Sequence, residues 1–297
     1  MAASRASGAR REARDSKGVL YVVATPIGNL DDITLRAIKI LKQVQLVAAE
    51  DTRRTGILLR HFSVETPILS VHQHNERARI NEIIARLSKG ESVALVTDAG
   101  TPGISDPGTT LVAAAREAGF SVEPIPGANA VVAAISASGV ATEGFLFLGF
   151  PPFRLKDRNR WMTDAVDGSN RRLVAFFEAP HRLRKTLKEL SVLVDRPIMV
   201  ARELTKLHEE FVTGKPSDLL AKFEAPQGEF TVLIPPVDPA NAVRPDISDP
   251  EVMAVFGQIT ELKPSETKRG VARETGERLG LSAKQVYEIV ERNKLVE

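Results

Sequence analysis

The sequence predicts an α/β protein in two parts, with a small helical extension at its C-terminal end. Three observations carry this prediction. Up to about residue 140, continuous apolar, β-branched runs alternate with segments of helical periodicity, the pattern of a mostly parallel sheet covered by helices. Beyond that point strand-like runs crowd together at hairpin-length gaps, as in an α+β unit on a mixed sheet. Five prolines between Pro235 and Pro250 then mark a linker before a last, helix-patterned stretch. The expected organisation is a basic tail over 1–18, a first α/β domain over 19–140, a second over 141–235, a linker over 236–250 and a helical unit over 251–297.

The elements follow in order. Val19–Thr25 is an apolar run ended by Pro26, as for a strand buried on both faces. Ile33, Ala37, Ile40, Leu41 and Val44 recur at helical spacing, with Asp31 or Asp32 available as a cap. "VQLVAAE" and "PILSVH" are the second and third strands, and "NEIIARLSKG" ends a helix with Gly90 just beyond it. "SVALVT" and "SVEPIP" are further strands, followed by the helices "TLVAAAREAG" and "ANAVVAAISAS". In the second half, "FLFLGF" is strand-like and "PPFRLKDRNR" is a proline-marked basic segment. "RRLVAFFEA", "PIMVARE", "EEFVTG" and "EFTVLIPP" are strands, with a helix opened by Pro180 and a short one near Ser217–Phe223. In the final stretch Gly280 marks a turn and Ser282 a cap, compatible with helix-turn-helix or with a plain helical appendage.

Bulk properties narrow the class. The 297 residues are 43% hydrophobic and 26% charged, as in a soluble globular chain. A net charge of +2 requires any nucleic-acid contact to come from a local patch. Without cysteine there are no disulfides and no thiolate metal sites, which fits a reducing compartment. The five histidines show no metal spacing; His72 and His74 read as polar loop residues, and no metal is expected. Residues 1–18 lack the apolar run of a secretory signal, and no stretch approaches the roughly 20 apolar residues of a membrane helix. A cytoplasmic protein with no membrane partner is the expectation.

Ligands of open α/β sheets bind beyond the carboxyl ends of the strands. Three Gly/Pro-bearing loops fall at that edge: Ala24–Asp32, Thr97–Gly108 and Pro124–Ala130. Glycine lets backbone approach a ligand closely and proline holds the shape. Neither the phosphate loop G-x-x-x-x-G-K-[ST] nor G-x-G-x-x-G is present. From Leu95 to Ala115 the charges are Asp98 and Asp106 alone, so a polyphosphate would meet uncompensated negative charge. A neutral or cationic ligand with hydroxyls and an amine fits better, and S-adenosylmethionine is of that kind.

"LYVVATPIGNLDDIT", "AAEDTRRTGILL", "LVTDAGTPGISDPG", "PIPGANAVVAAISASG", "FFEAPHRL" and "ARELTKLHEEF" together resemble the tetrapyrrole-methylase superfamily, and within it the branch that methylates ribosomal RNA. The resemblance spans roughly residues 19–235. It implies a two-domain class III methyltransferase fold, a homodimer, S-adenosylmethionine as cofactor, and 2′-O-methylation of a cytidine ribose in the decoding region of 16S ribosomal RNA. It assigns Pro26, Gly100, Thr101, Ile104, Asn129 and Ala130 to the cofactor, with Thr101 standing where tetrapyrrole-type relatives carry Asp.

Methyl transfer to a ribose hydroxyl needs alignment and an outlet for the proton. Glu178 and His181 in "FFEAPHR", and Glu203, Lys206 and Glu209 in "ARELTKLHEE", follow apolar strands and are candidates, with Glu178, Glu203 and Lys206 the choice as catalytic residues. Arg182, Arg202 and Lys206 are candidates for holding RNA. Phe153–Lys188 carries ten Lys or Arg against four Asp or Glu, which nominates Arg158 and Arg160 as phosphate contacts. Arg53 and Arg54 open a helix, unfavourably for its dipole, and are also assigned to RNA. The basic tail is either disordered or an accessory RNA-contacting arm. A carboxylate-rich tetrapyrrole would equally accept a basic wall, so a tetrapyrrole C-methyltransferase and a non-catalytic cofactor-dependent RNA-binding protein stand as alternatives.

Overall fold

The computed structural model describes residues 17–72, 75–237, 248–279 and 281–294. The tail through Ser16, His74, most of the proline-rich linker and Gly280 lie outside the described residues. The chain forms two compact units, one ending at Pro236 and one beginning at Val237.

The first unit begins with five parallel strands: β1 (Val19–Val23), β2 (Leu46–Ala49), β3 (Ile68–Ser70), β4 (Val93–Val96) and β5 (Ser121–Ile125). They lie in the order β3-β2-β4-β1-β5. The interior strands β2 and β4 are buried at every residue, which is why their sequences are unbroken apolar runs. Helices α1 (Leu35–Gln43) and α2 (Thr52–His61) cover one face through Ala37, Leu41, Leu58 and Leu59. Helices α3 (Glu76–Ser88) and α4 (Thr109–Glu117) cover the other through Ile83, Leu87, Leu111 and Ala115. The cap of α1 is Thr34, whose hydroxyl accepts the Ala37 N–H at 3.1 Å, and neither Asp31 nor Asp32. Those two aspartates sit in a preceding 3-10 turn that Asn29 caps, so the helix starts one turn later than its apolar spacing implied.

The second sheet comprises β6 (Phe145–Phe147), β7 (Leu173–Glu178), β8 (Ile198–Arg202), β9 (Glu210–Gly214) and β10 (Phe230–Ile234). Their order is β6-β7-β10-β8-β9, with β6 parallel to β7 and all other pairs antiparallel. Between them run α5 (Ala130–Ala137, preceding β6), α6 (Leu155–Gly168), α7 (Pro180–Leu193) and α8 (Pro216–Lys222). Met162, Leu183, Leu187, Leu190 and Leu219 from α6, α7 and α8 pack on one face of this sheet. Helix α5 packs on the other, bringing Val131 and Ala134 against Leu173, Ala175, Ala201 and Leu233. A helix from the first half of the sequence thus closes the core of the second sheet and fuses the two layers into one unit. Helix α6 was legible only as a basic segment, because the buried face it presents is Arg158, Met162 and Ala165, an arginine at the head of the apolar stripe.

The second unit holds α9 (Asp249–Leu262), α10 (Lys268–Leu279) and α11 (Ala283–Lys294) around Val252, Ala272, Val286 and Val290. The Ser282 hydroxyl caps α11 by accepting the Gln285 N–H at 3.2 Å. Among the described residues no helix is long and apolar enough to cross a membrane.

Candidate active site

Strand order brings the three Gly/Pro loops together. They leave β1, β4 and β5, which are neighbours in the sheet, so their carboxyl ends form one continuous edge. Thr25 and Gly100 tie the first two loops through reciprocal backbone hydrogen bonds of 2.9 and 3.1 Å. The Thr25 hydroxyl adds a bond to the Thr97 carbonyl. Gly100 sits at φ +83°, and Gly108 at φ +123° with the Leu95 side chain 2.8 Å from where a Cβ would stand. Asn129 caps α5, its side-chain oxygen accepting the Val132 N–H, and Thr101 donates to the Ala128 carbonyl at 3.4 Å. The loops therefore brace one another.

Over this edge lies a cavity of about 330 Å³. Gly100, Thr101, Ile104, Asn129 and Ala130 line it from the first sheet, and Phe150, Phe177, Leu204 and Phe230 from the second half of the chain. A second cavity of about 290 Å³ adjoins it, lined by Pro26, Arg54, Ile57, Asp98 and Lys206 among others. The two share Ile27, Ala99 and Glu229 as a common wall. Five of the six residues assigned to the cofactor meet in the larger cavity, whereas Pro26 borders the smaller one.

The acid–base candidates are differently placed from expectation. Glu178 borders the larger cavity, but its carboxylate is fully buried and both oxygens are engaged. One oxygen accepts the Ala179 N–H and lies 3.3 Å from the Arg182 guanidinium; the other accepts the Thr186 hydroxyl and lies 3.6 Å from Arg158. Arg158, 1% exposed, also binds Glu189 at 2.7 Å and the Thr186 hydroxyl. Arg182 is buried too, donating to the carbonyls of Pro151 and Pro152 while its guanidinium lies 4.3 Å from the Phe153 ring centre. This is a correction on three residues. Arg158 and Arg182 neutralise a buried carboxylate and fix the β6–α6 loop, so neither presents its charge to RNA, and Glu178 is a brace and not a proton acceptor. A cation surrounded by its own counter-ions inside the fold has no charge left for a phosphate.

Glu203 and Lys206 form a second paired cluster. The Glu203 carboxylate accepts the Lys206 ammonium at 2.9 Å and the Glu229 N–H at 2.9 Å, and Lys206 also binds Glu229 at 3.0 Å. Burial alone would raise Glu203, but the Lys206 and Glu229 hydrogen bonds outweigh it and hold the carboxyl below its ordinary value. Burial likewise opposes the Lys206 charge, and the two carboxylates override it and raise the ammonium above its ordinary value. A depressed carboxyl is a weak base, so this geometry corrects Glu203 as well: it holds Lys206, which borders the smaller cavity as a fixed cation. Glu203 and Thr205 stand at φ +49° and +65°, unusual for residues with side chains, in a loop pressed against Gly28.

Among the other basic candidates, Arg54 lines the smaller cavity 3.7 Å from Asp98. Arg53 is exposed and pairs with Asp51 at 2.8 Å. Asp51 caps α2 through the Arg53 N–H, so its charge answers the dipole mismatch that had made a functional role attractive for the arginines. The same two Arg53 contacts hold the Asp51 carboxyl well below its ordinary range. Arg160 is exposed on α6, 3.9 Å from Asp164. Arg202 binds the Gln227 carbonyl and lies 3.8 Å from Glu210, at the edge of the second sheet.

A family model for tetrapyrrole (corrin/porphyrin) methylases matches residues 19–220, a span that contains the three Gly/Pro loops and the loop after β8. The chain belongs to the tetrapyrrole-methylase family. Among curated relatives of this methylase, ribosomal RNA small subunit methyltransferase I of Synechocystis sp. is 43% identical over 276 residues, 92% of this chain and 97% of that one. The protein of the same name from Thermotoga maritima is 45% identical over 220 residues, 73% of this chain and 98% of that one. Among solved structures, a cobalt precorrin-4 methyltransferase superposes with a TM-score of 0.55 at 18% identity, covering 72% of this chain and 94% of that chain. Uroporphyrin-III C-methyltransferase of Thermus thermophilus gives 0.52 at 21% identity, covering 73% and 94%. The fold is that of a class III methyltransferase with a C-terminal helical extension.

The methylase fold implies S-adenosylmethionine as methyl source, and the larger cavity suits it. Its charged lining consists of Asp106, Glu178 and Glu229, with no lysine or arginine among the lining residues, and the rest is largely apolar or backbone. Such a lining favours a cationic sulfonium nucleoside over a phosphate. Asp106, Glu229 and the aromatic wall of Phe150, Phe177 and Phe230 were not singled out from sequence as site residues. The aromatics lie on three separate segments of the second half and meet only through sheet order. Asp106 was visible as one of two charges in its loop, but nothing local showed which way it faced.

Proposed function

We propose that this methylase transfers the methyl group of S-adenosylmethionine to the 2′-oxygen of a cytidine ribose in the decoding region of 16S ribosomal RNA. It does so as a cytoplasmic homodimer acting on the small ribosomal subunit. The observation that carries the proposal is the pair of cavities with a common wall at Ile27, Ala99 and Glu229, acidic and apolar on one side and bordered by Arg54 and Lys206 on the other. Cationic cofactor and anionic polynucleotide call for that division of charge. The names of relatives above 40% identity over most of their length support the RNA acceptor. Edge strand β6, with Phe145 and Leu146 exposed at 46% and 36%, supports a further subunit contact.

In this reading Gly100, Thr101, Ile104, Asn129 and Ala130 hold the cofactor, which supplies an electrophilic methyl carbon when bound. Arg54 and Lys206 position the sugar–phosphate from the smaller cavity, and Lys206 keeps its charge because Glu203 and Glu229 flank it. The wall residues exclude water where the two cavities meet. Incubation with methyl-labelled S-adenosylmethionine tests the proposal, using small subunits that lack the modification beside an added porphyrinogen. Label at a single 2′-O position of 16S RNA is the expected result. Label in the porphyrinogen alone, or cofactor binding without transfer, overturns it.

A further inference from the structure

With Glu178 and Glu203 removed as proton acceptors, three carboxylates line the larger cavity and two of them are ion-paired: Glu178 with Arg158 and Arg182, and Glu229 with Lys206. The third is Asp106. It lies half-buried in the loop between β4 and α4, and the charged groups that face it are the carboxylates of Glu50, at the end of β2, and Asp98, at the end of β4. The cations nearby are committed elsewhere: Arg54 approaches Asp98, and Lys206 lies between Glu203 and Glu229. Asp106 also contacts the hydroxyl of Thr97, whose oxygen lies 2.9 Å from a Glu50 carboxylate oxygen. Thr97 and Asp98 line the smaller cavity while Asp106 lines the larger. Asp106 therefore lines the larger cavity beside residues of the smaller one, on the side where a methyl donor and an acceptor hydroxyl would meet.

We infer that Asp106 is the catalytic proton acceptor of the reaction, taking the proton of the attacking ribose hydroxyl. The inference rests on the proposed ribose methylation. As the ribose oxygen bonds to the methyl carbon, the carbon–sulfur bond breaks with its electron pair left on sulfur, and the hydroxyl proton passes to the Asp106 carboxylate. Burial, then Glu50, push the Asp106 carboxyl up, a Thr97 hydrogen bond opposes them and Asp98 adds to the rise, with a net value of about 6. That lies close to neutrality, where a general base both ionises and accepts a proton. The neighbouring negative charges that raise it are an arrangement with no structural benefit, as expected of a group kept for chemistry.

Three measurements on the full-length protein test this. Single-turnover methylation of unmodified small subunits at saturating cofactor should rise through about pH 6 and then level. D106N should lower that plateau by about 100-fold or more and abolish the inflection while weakening cofactor binding by calorimetry far less than the rate, and D106E should restore part of the rate. Thermal unfolding without ligand gives an independent reading. A folded-state value raised to about 6 means that protonated Asp106 stabilises at low pH and that this contribution is lost as pH rises through 6. D106N should therefore melt above wild type at about pH 8, with the difference vanishing below about pH 4. A D106N rate within tenfold of wild type overturns the inference, as does cofactor affinity falling in step with the rate or a D106N that melts below wild type at about pH 8. Wild-type protein that fails to methylate RNA overturns the functional proposal and this one with it; active wild type with active D106N overturns this one alone.

Discussion

At the scale of single residues, the site is governed by which charges are already paired inside the fold. Glu178, Arg158 and Arg182 form one buried network, and its members depend on each other because a lone charge left in a protein interior is severely penalised. Glu178→Gln takes the carboxylate from the buried Arg182 and leaves Arg158 with Glu189 as its acidic partner. It should destabilise the protein by about 3 kcal/mol, read as a lowered denaturation midpoint in urea. Arg158→Gln should do the same and leave the salt dependence of RNA binding unchanged, since the side chain is sealed in the core. Arg54→Gln, at an exposed position on the smaller cavity, should reduce the slope of log affinity against log salt by about 1 with little effect on stability. From sequence these three arginines and one glutamate were equivalent polar letters in basic or motif-rich segments. Burial is a property of where neighbouring elements lie, and no local pattern distinguishes Arg158 from Arg160 two residues later.

At the scale of elements, loops are held by close backbone approach. Gly28 faces the loop after β8 so tightly that a Cβ there would stand 2.4 Å from Lys206 Cγ and 2.9 Å from the Leu204 carbonyl. The adjacent Asn29 N–H bonds the Thr205 hydroxyl at 3.1 Å, across the two sheets. Gly28→Ala should push these loops apart at a cost of about 1–3 kcal/mol and weaken RNA binding more than cofactor binding, because Lys206 borders the smaller cavity. Gly108→Ala meets both a forbidden dihedral and Leu95, and should lower stability through the β4–α4 turn with cofactor affinity falling as well. The glycines of the three loops were legible as functional punctuation, and strand alternation in the first half gave the parallel sheet directly, since buried parallel strands must be apolar throughout. Helix α6 was not legible, because an arginine occupies a position of its buried face. The cap of α1 is not decided locally, because Asn29, the two aspartates and Thr34 all carry capping side chains within six residues.

At the scale of the whole molecule, the unit through Pro236 contains both sheets and both cavities. A protein truncated after Pro236 should fold cooperatively and bind S-adenosylmethionine with the affinity of the full chain, checked by thermal unfolding and calorimetry. The expected boundary at residue 140 followed a change of composition, yet helix α5, which precedes it, packs on the second sheet and completes its core. The two halves of the sequence are accordingly not independent folding units.

The sequence by itself determined the α/β class, the order of strands along the chain and of most helices, and the three Gly/Pro loops at one sheet edge. Those features are local: apolar runs, helical spacing, and glycine or proline where the backbone must turn. Tertiary structure alone decided which charges face the cavities. Strand order made neighbours of loops distant in sequence, set Phe150, Phe177 and Phe230 in one wall, buried Glu178 between Arg158 and Arg182, and placed Asp106 beside the carboxylates of Glu50 and Asp98. The reason is physical. A carboxylate's chemistry depends on its solvation and on charges within a few ångströms, and those neighbours come from other parts of the chain.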